Sequence, residues 1–264
     1  MKPITTIFFF LCSLGLFSQC LSGDCSNGYG KYKEDNGDVY EGNYLNGKKN
    51  GKGTLYYSNG DKYEGDFLNG ERTGKGKKNY LDKGSEYTGD WLNGKAHGKG
   101  IRIEKDGSKY EGDWLNGKRS GKGRIYSDGR LVFEGEFLDG EANGKGTVYN
   151  SNGDKYEGNW LHNNMYGNIK LYDNTGRLLY EGEYSDGEAN GKGTLYFPNG
   201  NRYEGGVLNS VPNGKGTFFQ TDGLKFAVFY ENGEIKGEVV CTNANGRIEE
   251  GHFVFIDGKF VKHN

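Results

Sequence analysis

Four copies of Gly-Lys-Gly-Thr, at residues 51–54, 144–147, 191–194 and 214–217, come nearest in this sequence to a phosphate-binding loop. Such a loop needs Gly-Lys followed directly by Ser or Thr and then a helix, with another Gly five residues upstream, so that backbone N–H groups wrap the phosphates. Here Gly follows the Lys and a strand-like segment follows that, so the loop reading is rejected. His97 precedes one Gly-Lys-Gly, His162 lies in a turn segment, His252 in a weak repeat and His263 in the tail; none has a Ser, Cys or carboxylate at motif spacing. Catalysis needs a unique grouping, whereas the Glu and Lys residues here recur on a fixed period. The Asp/Asn/Gly turns lack the full ligand run of a calcium loop. Cys12, Cys20, Cys25 and Cys241 show no paired metal-ligand spacing. The expectation is a chain that is not an enzyme, with no catalytic residue, cofactor or metal.

The elements that would position any other function must come from an unusual composition. Of 264 residues only 33% are hydrophobic, while Gly accounts for 48 and Tyr for 20. Low hydrophobicity with high Gly suggests disorder, but disordered chains are poor in aromatics, and this one is 14% Phe, Tyr and Trp. The 34 basic and 36 acidic residues alternate along the chain and leave a net charge of −2. Without a basic run or stripe, nucleic acid is not expected as a partner.

Aligned on itself, the chain repeats every 23 residues, occasionally 24. The anchor is Tyr-Glu-Gly, any residue, then an aromatic: Tyr40-Glu41-Gly42-Asn43-Tyr44, then copies opening at Tyr63, Tyr87, Tyr110, Phe133, Tyr156, Tyr180 and Tyr203. Degenerate copies follow at Phe226 and Glu249. Gly-Lys-Gly recurs between anchors, starting at residues 51, 74, 98, 121, 144, 191 and 214, with an eroded copy at Tyr166-Gly167-Asn168. A unit reading Tyr-Glu-Gly-x-aromatic-Leu-x-Asn/Asp-Gly-Lys, loosely kept, resembles the MORN repeat. The resemblance covers residues 27–223 well and the last 40 weakly.

The physics of the unit reads without the family name. Tyr40, Gly42 and Tyr44 alternate with Glu41 and Asn43, so the two sets face opposite sides of a strand. Asn46-Gly47 signals a turn, and a second alternating run, residues 51–57, leads to Asn59-Gly60. Each repeat is therefore a β-hairpin. Glycine weakens a strand unless something covers it, and a Tyr or Trp ring lying flat across a facing Gly does so. Glu of Tyr-Glu-Gly and Lys of Gly-Lys-Gly are expected on the other face, as cross-strand pairs contributing roughly 0.2–1 kcal/mol each. The fold expected is all-β: an elongated single-layer antiparallel sheet of tandem hairpins spanning residues 23–223. Residues 224–264 are expected to form a C-terminal β cap. At about 4.8 Å per strand, nine repeats would reach roughly 80–90 Å, with Cys25 and Cys241 too far apart to bridge.

Lys2 and the apolar stretch Ile4 to Phe17 fit a secretory signal peptide occupying residues 1–22, being too short to span a bilayer. Two cleavage readings stand. Leu16-Phe17-Ser18-Gln19-Cys20 resembles a bacterial lipobox, which would leave Cys20 lipidated and the protein anchored in the cell envelope. It departs from that pattern in Gln19 and in the position of Leu16. The alternative is ordinary cleavage near Ser22, giving a periplasmic or secreted protein. A single-layer sheet would leave its aromatic side partly open, making Tyr44, Phe67, Trp91, Trp114, Phe137, Trp160 and Tyr184 the candidates for contacting a partner. The function expected is a scaffold binding an unidentified protein or a second copy of itself. The alternative, implied by the MORN resemblance, is binding of phospholipid headgroups.

Overall fold

Alternating Tyr and Gly with paired Asn-Gly turns dictate hairpins, and the computed structural model consists of them. It describes residues 19–263, so the first 18 residues of the expected leader lie outside the described residues. No described residue is helical. The chain divides into two compact units, residues 1–106 and 107–264.

In the first unit, eight strands pair antiparallel in chain order: β1 (Gln19–Gly23), β2 (Tyr29–Lys33), β3 (Val39–Leu45), β4 (Lys48–Tyr56), β5 (Lys62–Leu68), β6 (Glu71–Tyr80), β7 (Ser85–Leu92) and β8 (Lys95–Ile103). Strand pairing begins at Gln19, ahead of the expected boundary at residue 22. Cys20 is joined to Cys25 in a disulfide with the Cα atoms 6.1 Å apart.

The second unit continues the hairpins as β9 (Lys109–Leu115), β10 (Lys118–Ser127), β11 (Arg130–Leu138), β12 (Glu141–Tyr149), β13 (Lys155–Leu161), β14 (Asn164–Tyr172), β15 (Leu178–Ser185), β16 (Glu188–Tyr196), β17 (Arg202–Leu208), β18 (Val211–Phe219) and β19 (Lys225–Glu231). Two short strands, β20 (Glu234–Ile235) and β21 (Val240–Thr242), both pair with β19, and β22 (Ile248–Glu249) pairs with β21. A separate hairpin, β23 (His252–Ile256) with β24 (Lys259–His263), packs over the end of the sheet. There Phe260 stacks on Phe226 at 4.4 Å between ring centroids, and Phe255 meets Phe218 edge-on. The side chains of Asn199 and Asn201 donate hydrogen bonds to the Gly258 carbonyl, fixing the hairpin tip. Cys241 lies buried in this cluster as a free thiol.

Within most hairpins the register sets Gly opposite Gly, as in Gly42–Gly53 and Gly65–Gly76. The Tyr ring of the anchor fills the space both glycines leave open. A Cβ on Gly76 would lie 2.6 Å from Cε2 of Tyr63, a clash that only Gly avoids. Tyr63 is fully buried and its hydroxyl donates to the Asp66 carbonyl at 3.1 Å, a bond repeated by Tyr40, Tyr87, Tyr110, Tyr180 and Tyr203. The turn between the strands has both central residues left-handed, φ 51° at Asn46 and 72° at Gly47, the type I′ geometry that matches strand twist.

The strand after the turn carries a bulge between Gly-Lys-Gly and the turn, with Gly42 opposite Gly53 but Tyr44 opposite Lys49. This overturns the expected Glu–Lys pairing. The register places Glu41 across from Thr54 and, in the next pairing, Lys52 across from Asp66. Lys52 therefore meets Asp66 at 2.7 Å, and Lys75 meets Asp90 at 2.5 Å. The anchor Glu residues pair with other cations instead, as in Lys31–Glu41, Lys62–Glu64 and Arg124–Glu134.

Candidate binding surfaces

The seven aromatic residues expected to meet a partner come together as one kind of row in each unit. In the first, Tyr40, Phe67, Tyr63, Trp91 and Tyr87 make successive edge-on contacts at 4.9–5.2 Å between centroids. In the second, Tyr110, Phe137, Phe133 and Trp160 do the same at 5.0–5.4 Å. This row is closed rather than open. Tyr44, Phe67, Trp91, Trp114 and Phe137 are buried, with Phe67, Trp91 and Phe137 each edge-on to neighbouring rings and cationic side chains over Trp91 and Phe137. The Arg72 guanidinium sits 4.6 Å above Trp91 and donates to the Gly94 carbonyl, and Arg119 covers Tyr110 and Phe137. Alternation identifies which residues share a face; it does not show that an arginine of the neighbouring hairpin folds over them.

Trp160 and Tyr184 are the two candidates that remain half-exposed. Both belong to the surroundings of the eroded sixth repeat. There Ile169 occupies the place of the second Gly of Gly-Lys-Gly, with its Cγ2 2.8 Å from where a Cβ of Gly158 would stand. Ile169 is buried and Tyr156 is only half-buried, its ring kept out of the slot that Tyr63 fills. The Trp160 indole N–H is buried with no acceptor, whereas the Trp91 N–H donates to the Gly76 carbonyl.

The opposite face is charged and largely self-neutralised. The acid in the fourth anchor position, a residue sequence reasoning passed over, does two jobs. Asp66, Asp90, Asp113, Glu136 and Glu183 each accept the backbone N–H of the Gly-Lys-Gly lysine across the bulge of their own hairpin. Asp66 and Asp90 also take the ammonium of the preceding repeat. The Lys75 ammonium outweighs the cost of burial and, with the Lys99 N–H, holds the Asp90 carboxyl below the usual carboxylate range. The signal available in sequence is the recurrence of Asp or Glu at that position. At three places in the second unit the facing residue is not an acid: Lys145 faces Asn159, Lys192 faces Gly206 and Lys215 faces Phe229.

Burial, then Glu134, pushes the Tyr149 phenol up to about 12, so it remains a donor to Glu134 at 2.8 Å. Among the described residues no three His, Cys, Asp or Glu side chains converge in a way that could hold a metal ion. No described helix is long and apolar enough to cross a membrane. Cys20, the candidate for lipidation, has its sulfur in the bond to Cys25, and a sulfur so joined cannot also carry a thioether.

No curated protein matches the sequence significantly. Among solved structures, the chain is similar at 12% identity to the SAS-4 (dCPAP) TCP domain of Drosophila melanogaster, which was solved with a proline-rich motif of Ana2 (dSTIL). The match covers 94% of this chain and 93% of that one at a TM-score of 0.26, too low to support any argument. The family profile of the MORN repeat matches residues 40–62, 63–82, 87–109, 110–129, 133–155, 180–202 and 203–225. It passes over the repeat in which Ile169 displaces Tyr156. With more than half of its length matched in register with the observed hairpins, the chain belongs to the MORN-repeat family.

Proposed function

We propose that this chain is a non-enzymatic scaffold, exported to the cell envelope, that binds a protein partner or a second copy of itself. The observation that carries the reading is the pairing-off of the charged face. A surface built for a polyanion keeps its cations free, whereas Lys52, Lys75, Lys62 and Lys109 are bound to carboxylates within the chain. Export is supported by the apolar segment Ile4 to Phe17 and by the Cys20–Cys25 disulfide, a bond of oxidising compartments. Attachment through a lipidated Cys20 is the competing fate of the same sulfur. The partner-contacting role proposed for the aromatic row narrows to Trp160 and Tyr184, the two candidates that reach the surface.

A second reading, binding of phospholipid headgroups, is favoured by one observation: Lys145, Lys192 and Lys215 are exposed and face no acid across the strand. Sedimentation with liposomes separates the two readings. Exposed charges are screened within about 8–10 Å near physiological salt, so headgroup binding must weaken steeply as salt rises. The chain from Gln19 onward is expected to stay in the supernatant with both neutral and anionic liposomes at that ionic strength. Salt-sensitive sedimentation with anionic liposomes, abolished by substituting Lys145, Lys192 and Lys215 together with Ala, would replace the scaffold reading with the second.

A further inference from the structure

At the turn edge of the first unit, the outward face carries a strip that no intrachain contact explains. Each hairpin ends with a leucine directly opposite a charged residue: Leu45 opposite Lys48, Leu68 opposite Glu71, and Leu92 opposite Lys95. The leucines are 51%, 55% and 45% exposed. Leucine on a solvated strand end gains nothing from water, and a polar residue would serve there equally well. Lys48 and Glu71 are exposed, and neither makes an ion pair among the described residues, although most cations on this face do.

The order along the edge is Leu45, Lys48, Leu68, Glu71, Leu92. Reversed, it remains apolar where it was apolar, and Lys and Glu exchange places. We infer that this strip is an isologous contact with a second copy of the chain, formed about a two-fold axis through Leu68. The axis lies along the strand direction between two outward faces. It brings Leu68 against the partner's Leu68, Leu45 against the partner's Leu92 and Lys48 against the partner's Glu71, each of the last two occurring twice. A closed two-fold contact needs a patch that is complementary to itself in this sense, and a run of alternating residues rarely is. Successive leucines stand two strands, or about 10 Å, apart, a spacing that a second copy reproduces. Running the copies the same way would set Lys48 on Lys48 and gain nothing.

The next row inward is Asn43, Lys52, Asp66, Lys75 and Asp90, already tied up as Lys52–Asp66 and Lys75–Asp90, so the contact is confined to the turn edge. The second unit repeats the order as Leu115, Lys118, Leu138, Glu141, Leu161, with leucines 48–56% exposed. Its charges are partly engaged, Lys118 with Asp139 and Glu141 with His162.

The inference rests on the scaffold reading and specifies one partner for it. Cysteine cross-linking of the full chain carrying Cys12→Ser tests it, because Cys241 is buried and Cys20 and Cys25 are bonded to each other. Leu68→Cys should give a disulfide-linked dimer under mild oxidation at least about tenfold faster than Lys83→Cys at the opposite edge, the advantage of proximity over random encounter. Lys48→Glu added to Leu68→Cys should slow the cross-link, and further addition of Glu71→Lys should restore it, with unchanged circular dichroism throughout. Equal rates at the two edges, or no recovery in the charge-exchanged variant, would overturn the inference. Either result leaves the liposome outcome untouched, so the two readings fail separately.

Discussion

Replacing Gly76 with Ala tests the packing rule on which the repeats depend. Gly76 has no left-handed backbone conformation, so the change carries no backbone strain, and removing Gly alone would stabilise by about 0.4–1 kcal/mol through the unfolded chain. Against this, the new methyl occupies the space of the Tyr63 ring, 2.6 Å from Cε2 and Cζ and closer still to the hydroxyl. Tyr63 is fully buried between Phe67, Trp91 and Arg72 and has nowhere to retreat without leaving the row. Overpacking of this kind costs about 1–3 kcal/mol, and losing the hydroxyl bond to the Asp66 carbonyl adds about 1 kcal/mol. The net expectation is a loss of about 2–3 kcal/mol. At about 2–4 °C per kcal/mol for a chain of this size, the melting midpoint should fall by about 5–10 °C. Thermal melts followed by far-ultraviolet circular dichroism read the stability, and Trp91 fluorescence reports whether the ring has moved. Gly70→Ala is the control: its φ is +94° with open space around the missing Cβ, so it pays strain without collision. A Gly76→Ala variant within about 0.5 kcal/mol of the parent protein, below the usual cost of any buried misfit, would refute the reasoning.

Two further outcomes follow from the charged face and the amino-terminal strand. The carboxyls of Asp66 and Asp90 are held below their ordinary values, so they bind protons less readily folded than unfolded. The stability they contribute is present above the unfolded value of about 3.9 and is lost as pH falls through the folded one. Urea midpoints should therefore hold steady from neutrality to about pH 5 and decline below it, and Asp90→Asn should shrink the decline; an equal decline in that variant would contradict the assignment. Peptide mapping of the mature protein without reduction should recover Cys20 and Cys25 linked, with Cys241 as a free thiol, whereas an acylated Cys20 would displace the disulfide.

What was legible in the sequence is the part set by one hairpin. The 23-residue spacing gives the strands, Asn46-Gly47 gives a turn needing two left-handed residues, and Tyr40 with Gly42 and Gly53 gives the covered glycines. What was not legible depends on register between hairpins. Alternation counts residues evenly, and the bulge between the turn and the second Gly of Gly-Lys-Gly breaks that count, so Lys52 moves from its own repeat's Glu to Asp66 of the next. The closing of the aromatic row is hidden for a related reason: Arg72 reaches Trp91 across the seam between neighbouring hairpins, a contact of long side chains that periodicity does not encode. The disulfide is not legible because Leu16 to Cys20 reads equally as a lipid-acceptor segment, and nothing in the spacing marks Cys25 as the partner of Cys20. The C-terminal hairpin was visible as a run of aliphatics, but not its seat on Phe218 and Phe226.

The type I′ turns carry one more consequence. The second turn residue donates its N–H to a carbonyl just past the turn of the preceding hairpin, Gly70 to Lys49, Gly94 to Arg72, Gly140 to Arg119 and Gly233 to Pro212. These hairpins are thereby fastened to material synthesised about twenty residues earlier. Chains whose contacts are that local fold quickly, and repeats of this sort propagate from whichever part forms first. A chain emerging lengthwise, from a ribosome or through a membrane, can lay down one hairpin at a time on the last one completed. The cost is an unpaired strand edge at the growing end at every stage, the feature that invites aggregation. The tail answers it last: β20 and β21 pair with β19, and the final hairpin packs its phenylalanines over the end of the sheet.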